Sequence, residues 1–170
     1  MASGSEQPIV AGPYGAQAAA PGPSQPFGGA PAGEEIIAVV KKYYISLAAS
    51  NYEDAVALMQ PGMRVFTPFG KLMHLPNDAQ VVIHIYKQMQ AQGFHMAYTP
   101  LEIDGAVYGN VAFAAYLLQG KETAPGGAST TAERRGTQVW VKENGQWRIA
   151  HMHVSSNDEW ESWRGKLPPK

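Results

Sequence analysis

Two β-rich runs separated by Asn144-Gly145 constrain this chain more than any other feature. Residues 136–143 and 146–155 carry alternating Val, Trp, Ile and His, and the second run ends in His151-Met152-His153-Val154-Ser155. Asn-Gly between such runs is a strong hairpin signal, because the tight turn that joins twisted strands needs positive φ and these residues tolerate it. The sequence leaves the register open. A two-residue turn sets Gln138 opposite His151, whereas a three-residue loop with a bulge sets it opposite Ala150. One residue of slip moves every side chain of a strand to the other face.

The hairpin belongs to a longer pattern. Ile36, Ile37, Val40, Tyr44 and Leu47 recur at helical spacing, predicting a helix from Glu34 to Ala49, with Glu34 and Glu35 at its positive end. Asn51 is placed to cap a second helix from Tyr52 to Met59, with Asp54 at the capping-box position and Gln60-Pro61-Gly62 as the stop. Short strands follow at 63–67 and 71–75. Asn77 then caps a helix over 78–92, closed by Gly93. A strand at 95–103, a turn at Asp104-Gly105 and a strand at 111–118 lead through a Gly/Ser/Thr-rich loop to the hairpin. Ser156 or Asn157 is placed to cap a last turn carrying Trp160 and Trp163. Helices first and antiparallel strands after predict an α+β fold with helices on one face of a curved sheet. Such a sheet encloses a small-molecule pocket.

Composition sets the boundaries. Among the first 33 residues Glu6 is the only charged side chain, amid Gly, Ala, Pro, Ser and Gln. Such a segment cannot bury enough apolar surface to offset its ordering entropy, so 1–33 reads as a tail or linker without a secretory or transit signal. The remaining residues suffice for one core. The 170-residue chain has no cysteine, so thiolate chemistry, disulfides and Cys-based metal sites are excluded, and a cytoplasmic setting is expected. A formal net charge of −1 without a basic stripe argues against nucleic acid, and no apolar run reaches membrane-spanning length.

Three segments together resemble the association (hub) domain of calcium/calmodulin-dependent protein kinase II, in the NTF2-like, SnoaL-like superfamily. They are Glu35-Ile36-Ile37, then Pro61-Gly62-Met63 with Phe66-Thr67-Pro68, then Thr137 to Trp140, Trp147 and His151 to Ser155. The resemblance implies an NTF2-like cone with about three helices on the concave face of a strongly curved antiparallel sheet. It places the hub domain at 34–156, with 157–170 as an extension. It implies self-association into a ring-shaped homo-oligomer of stacked dimers, a scaffold for whatever the N-terminal arm carries. No kinase motif is present. The kinase hub's pocket arginines correspond to Gln138, Val154 and a position near Leu118, all neutral here, so the guanidinium forks that grip carboxylates are missing.

The arginine positions favour the bulged register. Gln138, Trp140, Arg148, Ala150, Met152 and Val154 then face inward, and the expected pocket residues are Tyr44, Gln138, Trp140, Met152 and Val154. Val139, Val141, Trp147, Ile149, His151 and His153 form the other face, expected to be an oligomer interface because it is too apolar to leave in water.

Three chemical alternatives sit on the same residues. His151 and His153 share a face, but no spacing supplies a third ligand from His74, His84 or His95, so the expectation is no metal and no cofactor. The ending His153-Val154-Ser155-Ser156 is similar to the His-Ser-Ser ending of metal-free carbonic anhydrases, with Thr99 and Tyr116 as partners, although Val154 replaces the first serine. Ketosteroid-isomerase-like chemistry needs a buried carboxylate facing a hydroxyl. Tyr43, Tyr44, Tyr86, Tyr108 and Tyr116 offer hydroxyls. Asp54 and Asp78 read as helix starts, Asp104 as a turn residue, and Glu122 and Glu133 as solvated.

Overall fold

The structure, a computed structural model, describes residues 30–67 and 71–156. Three helices, α1 (Ala30–Ala48), α2 (Tyr52–Ala57) and α3 (Ala79–Ala91), accompany six strands. These are β1 (Met59–Phe66), β2 (Leu72–His74), β3 (His95–Tyr108), β4 (Val111–Thr123), β5 (Ser129–Glu143) and β6 (Gln146–Ser156). The sheet is curved and unclosed, in the order β2-β1-β6-β5-β4-β3. Helices on one side of a curved sheet make this an α+β fold. No helix among the described residues is long and apolar enough to cross a membrane.

Helix starts follow side-chain chemistry. Asn51 caps α2 by accepting from the Asp54 amide at 3.3 Å, and its own amide group donates to the Asp54 carboxylate at 2.7 Å. Asp78, not Asn77, caps α3, accepting from the Gln80 amide at 2.8 Å. Helix α1 begins before Glu34, so Glu35 lies beyond the first turn and pairs instead with Lys142 of β5 at 2.8 Å.

Two expected breaks are continuous strand. Gln60-Pro61-Gly62 lies within β1, where the register against β6 jumps between Met59 and Arg64 and Gly62 takes φ 68°. Proline, with no amide hydrogen to give a ladder, is tolerated at such an irregularity. Asp104-Gly105 lies within β3, not at a turn. A side chain on Gly105 would come within 3.3 Å of Ile36, so this glycine lets α1 lie close on the sheet. The actual β3–β4 turn is Gly109-Asn110, with Gly109 at φ 63°.

The sheet is mixed, not wholly antiparallel, because β1 runs parallel to β6. The hairpin has the two-residue turn, but neither expected partner faces Gln138, which lies opposite Met152. Glu143 pairs with Gln146 across a two-residue turn, and Asn144 and Gly145 both take positive φ. The register then shifts: Trp140 pairs with Ile149, but Val139 pairs with His151, leaving Ala150 as a bulge. Trp147 and Ile149 therefore share the inner face with Met152 and Val154, and all four are buried. The expectation that Trp147 and Ile149 face outward is corrected by a bulge that lies mid-strand, not at the turn.

Helix α1 covers the inner face of β3 and β4, burying Ile36, Val40, Tyr43 and Tyr44. Helix α3 packs chiefly on α2 and stands off the sheet. Tyr52 and Tyr86 stack between these two short helices, ring centroids 5.3 Å apart.

Gly136 marks the tightest side-chain packing of this inner face. A β-carbon there would sit 2.1 Å from the Tyr116 ring, which is itself buried and bonded to Tyr44. Gly136→Ala is expected to cost about 1–3 kcal/mol, read as a lower midpoint of chemical unfolding. An unchanged midpoint would mean that the Tyr116 ring is free to move aside.

Candidate functional site

The gap between α3 and the sheet is a cavity of about 390 Å³, within the usual range of small-molecule pockets. Its inner wall is Tyr44, Leu118, Met152 and Val154, all buried. Val82, Ile85, Tyr86 and Met89 of α3 form the roof, and Phe94, Met96 and Tyr98 form the β3 side. The mouth lies where lining residues reach solvent: Phe66, Lys71 and Met73 at the β1–β2 end, and Ile85 on α3.

Polar groups in the depth are already engaged. The Tyr44 and Tyr116 hydroxyls bond each other at 2.9 Å, and Tyr44 also donates to the Met152 sulfur at 3.9 Å. Both phenols are pushed above the ordinary tyrosine range, first of all by burial. They act as neutral hydrogen-bonding groups, not as bases. Gln138 is fully buried; its amide nitrogen donates to the Met152 sulfur at 3.5 Å, and its oxygen accepts no hydrogen bond among the described residues.

A carboxylate that the sequence reading assigned to solvent is part-buried beside the cavity. Glu122 on β4 accepts the Tyr98 hydroxyl and a two-point bond from Arg134 on β5, with Nε at 3.0 Å and NH2 at 2.9 Å. Arg134 also reaches the Ser156 hydroxyl at 3.3 Å. Cross-strand placement explains the cluster: Glu122 sits opposite Met96 and Thr130, while Arg134 sits opposite Leu118 and Ser156. Burial, then the Glu122 carboxylate, raises the Tyr98 phenol. The Arg134 guanidinium compensates the Glu122 charge, so the carboxylate is tied into an ion pair and not aimed at a substrate. No signal in the sequence marked Glu122, because the thirteen-residue β4 had to be recognised as longer than its apolar run.

The expected site residues separate. Tyr44, Met152 and Val154 line the cavity, whereas Gln138 and Trp140 are buried outside its lining. The proposed carbonic anhydrase-like set does not converge: Tyr116 is on the inner face, while Thr99, His153 and Ser155 alternate with inward residues and lie on the outer face. Among the described residues, no Asp, Glu or His lines the cavity, and no group of three or more His, Asp or Glu could hold a metal ion.

The outer face is the second candidate. Leu101 pairs with Leu117, Tyr108 with Val111, and Val111 with Val141, while Phe113 pairs with Val139. Leu101, Tyr108, Val111, Phe113 and Leu117 are 36–60% exposed. Beside this apolar tract, His74, Arg64 and His151 lie in one row. The Phe66 ring meets His151 and His153 edge-on, centroids 6.1 and 5.7 Å away.

Comparison with known proteins agrees with this geometry. A family model described as a SnoaL-like domain matches residues 36–159. The hub homology domain of CaMKII from Chlamydomonas reinhardtii is similar at 26% identity and TM-score 0.57, covering 74% of this chain and 97% of that one. The association domain of C. elegans CaMKII matches at 20% identity and TM-score 0.55, over 72% and 94%. An NTF2-like superfamily protein from Salmonella enterica matches at 25% identity and TM-score 0.59, over 72% and 89%. No curated protein matches in sequence.

The buried phenols predict alkaline sensitivity. Tyr43, Tyr44, Tyr86, Tyr98 and Tyr116 all have raised folded values against an ordinary 10.0. A raised value means that the folded state holds its proton longer. Stability is therefore intact below pH 10.0 and lost as pH rises above it. Phenolate absorbance should appear together with unfolding, and Tyr98→Phe should lessen the slope. Phenolate formation in a protein that stays folded would contradict the arrangement.

Proposed function

The chain belongs to the SnoaL-like domain family, and from that premise we propose that it is a self-associating hub or scaffold module. The assembling unit is residues 34–156, residues 1–33 are an arm or linker, and residues 157–170 are an extension. The copies pair through the outer face of the sheet and close into a ring of stacked dimers in the cytoplasm. The observation that carries this reading is the run of exposed Leu, Val, Phe and Tyr across β3 and β4. An apolar surface of this continuity is what subunit interfaces require and what an isolated domain avoids. Val139, Val141, His151 and His153 extend it onto the hairpin, and the similarity to hub domains favours a second copy as the occupant.

The scaffold reading is preferred to catalysis because no carboxylate or imidazole lines the cavity among the described residues. Isomerase-like chemistry on this fold needs a carboxylate base facing the substrate.

Native mass spectrometry at low micromolar concentration tests the assembly. The expected result is one discrete species on the order of ten subunits, a closed ring of the kind the hub resemblance implies. The midpoint of thermal unfolding should also rise with protein concentration. Phe113→Glu with Val139→Glu should give a folded, smaller species, because burying two unpaired carboxylates in the interface is costly. A monomeric wild type overturns the proposal.

A further inference from the structure

The cavity itself has no part in assembly through the outer face, yet it is large, open at one end and asymmetric in chemistry. Among the described residues its deep hydroxyls are taken up within the protein, those of Tyr43 and Tyr86 by each other. The Tyr44 and Tyr116 hydroxyls satisfy each other and the Met152 sulfur, and the Tyr98 hydroxyl is committed to Glu122. A charged or strongly polar group carried inside would lose its water without replacement. The deep part is therefore suited to hydrocarbon.

The walls also say what kind of hydrocarbon. Met73, Met89, Met96 and Met152 approach from four different elements. Methionine is unbranched and polarizable, and it reshapes around a flexible guest at low cost. A wall built this way fits an alkyl chain of variable path better than one rigid polar ring system.

The mouth differs. Lys71 lines it, is exposed, and forms no ion pair among the described residues. Its backbone carbonyl accepts from the Thr67 amide at 3.3 Å, which fixes the stem of this lysine at the end of the β1–β2 pairing. No carboxylate lines the cavity among the described residues to oppose an incoming anion. An ammonium at the rim of an apolar shaft matches a molecule with a hydrocarbon body and one anionic end.

We propose that the cavity binds a long-chain monocarboxylate, its alkyl chain along the methionine-rich lining and its carboxylate at Lys71. The lysine acts as a point charge that selects the head group and sets its direction, while burial of the chain supplies most of the affinity.

The test uses the full chain and two fluorescent probes of one length, a dansyl-labelled undecanoic acid and the matching dansyl-labelled undecanol. Saturable binding of the acid at one site per chain is expected. Lys71→Glu should weaken the acid by roughly fivefold or more while leaving the alcohol within about twofold, since a solvent-exposed ion pair contributes modestly and its reversal repels. Ile85→Glu, at a half-exposed wall position where folding is little affected, should weaken both probes by about tenfold or more. Far-ultraviolet circular dichroism confirms that each variant is folded. Absence of saturable acid binding by the wild type overturns the proposal, and so does equal loss of acid and alcohol in Lys71→Glu. Oligomeric state is measured on the same samples, so a failure of ligand binding is distinguished from a failure of assembly.

Discussion

One unpaired residue, Ala150, reconciles two requirements on β6 that a regular strand could not meet. Near the turn, Trp147 and Ile149 must face inward to complete the core with Trp140. Farther along, Met152 and Val154 must face inward as the cavity wall. Positions 147, 149, 152 and 154 change parity between 149 and 152, so regular alternation would send one pair outward. The bulge absorbs that change. The same shift aligns His151 and His153 on the outer face, next to Arg64 and Phe66 of β1.

The helices divide the inner face unevenly. Close approach of α1 to the β3–β4 half depends on Gly105, while α3 rests on α2 and leaves space above β1 and β6. Alternation along β5 and β6 then assigns neighbouring residues to different tasks. Met152 and Val154 bound the cavity, whereas His151 and His153 face the surface read as an interface. The proposed ligand site and the proposed assembly surface thus lie on opposite sides of the same strands. A substitution on one side leaves the chemistry of the other in place.

The architecture was legible where a local signal had a single physical solution. The Asn144-Gly145 turn, the Asn51 cap and the helical spacing of Ile36, Val40 and Tyr44 all correspond to observed elements. Misreadings arose where tertiary contact overrode a local signal. Asp104-Gly105 looks like a turn in sequence, but the glycine is there for Ile36. Pro61-Gly62 looks like a helix stop, but serves a strand irregularity. Glu122 looks solvated until Arg134 and Tyr98 are brought beside it. The inner residues Gln138 and Trp140 were placed on the correct face but not at the cavity, because a strand pattern encodes facing and not where helices stand off. The mid-strand bulge left no turn residue to announce it.

The parallel pairing of β1 with β6 has a consequence for how the chain is made. Antiparallel neighbours such as β3–β4 and β4–β5 can close soon after they leave the ribosome, since each joins the strand just completed. Strand β1 is synthesised among the first elements, yet its principal neighbour is the last strand. Until residues 146–156 emerge, β1 and β2 form a two-stranded ribbon with an open edge, too small to be stable alone. Completion of the sheet, and with it the wall formed by Met152 and Val154, therefore has to wait for β6. Between the synthesis of β1 and that of residues 146–156, the edge of β1 is open to edge-to-edge misassociation.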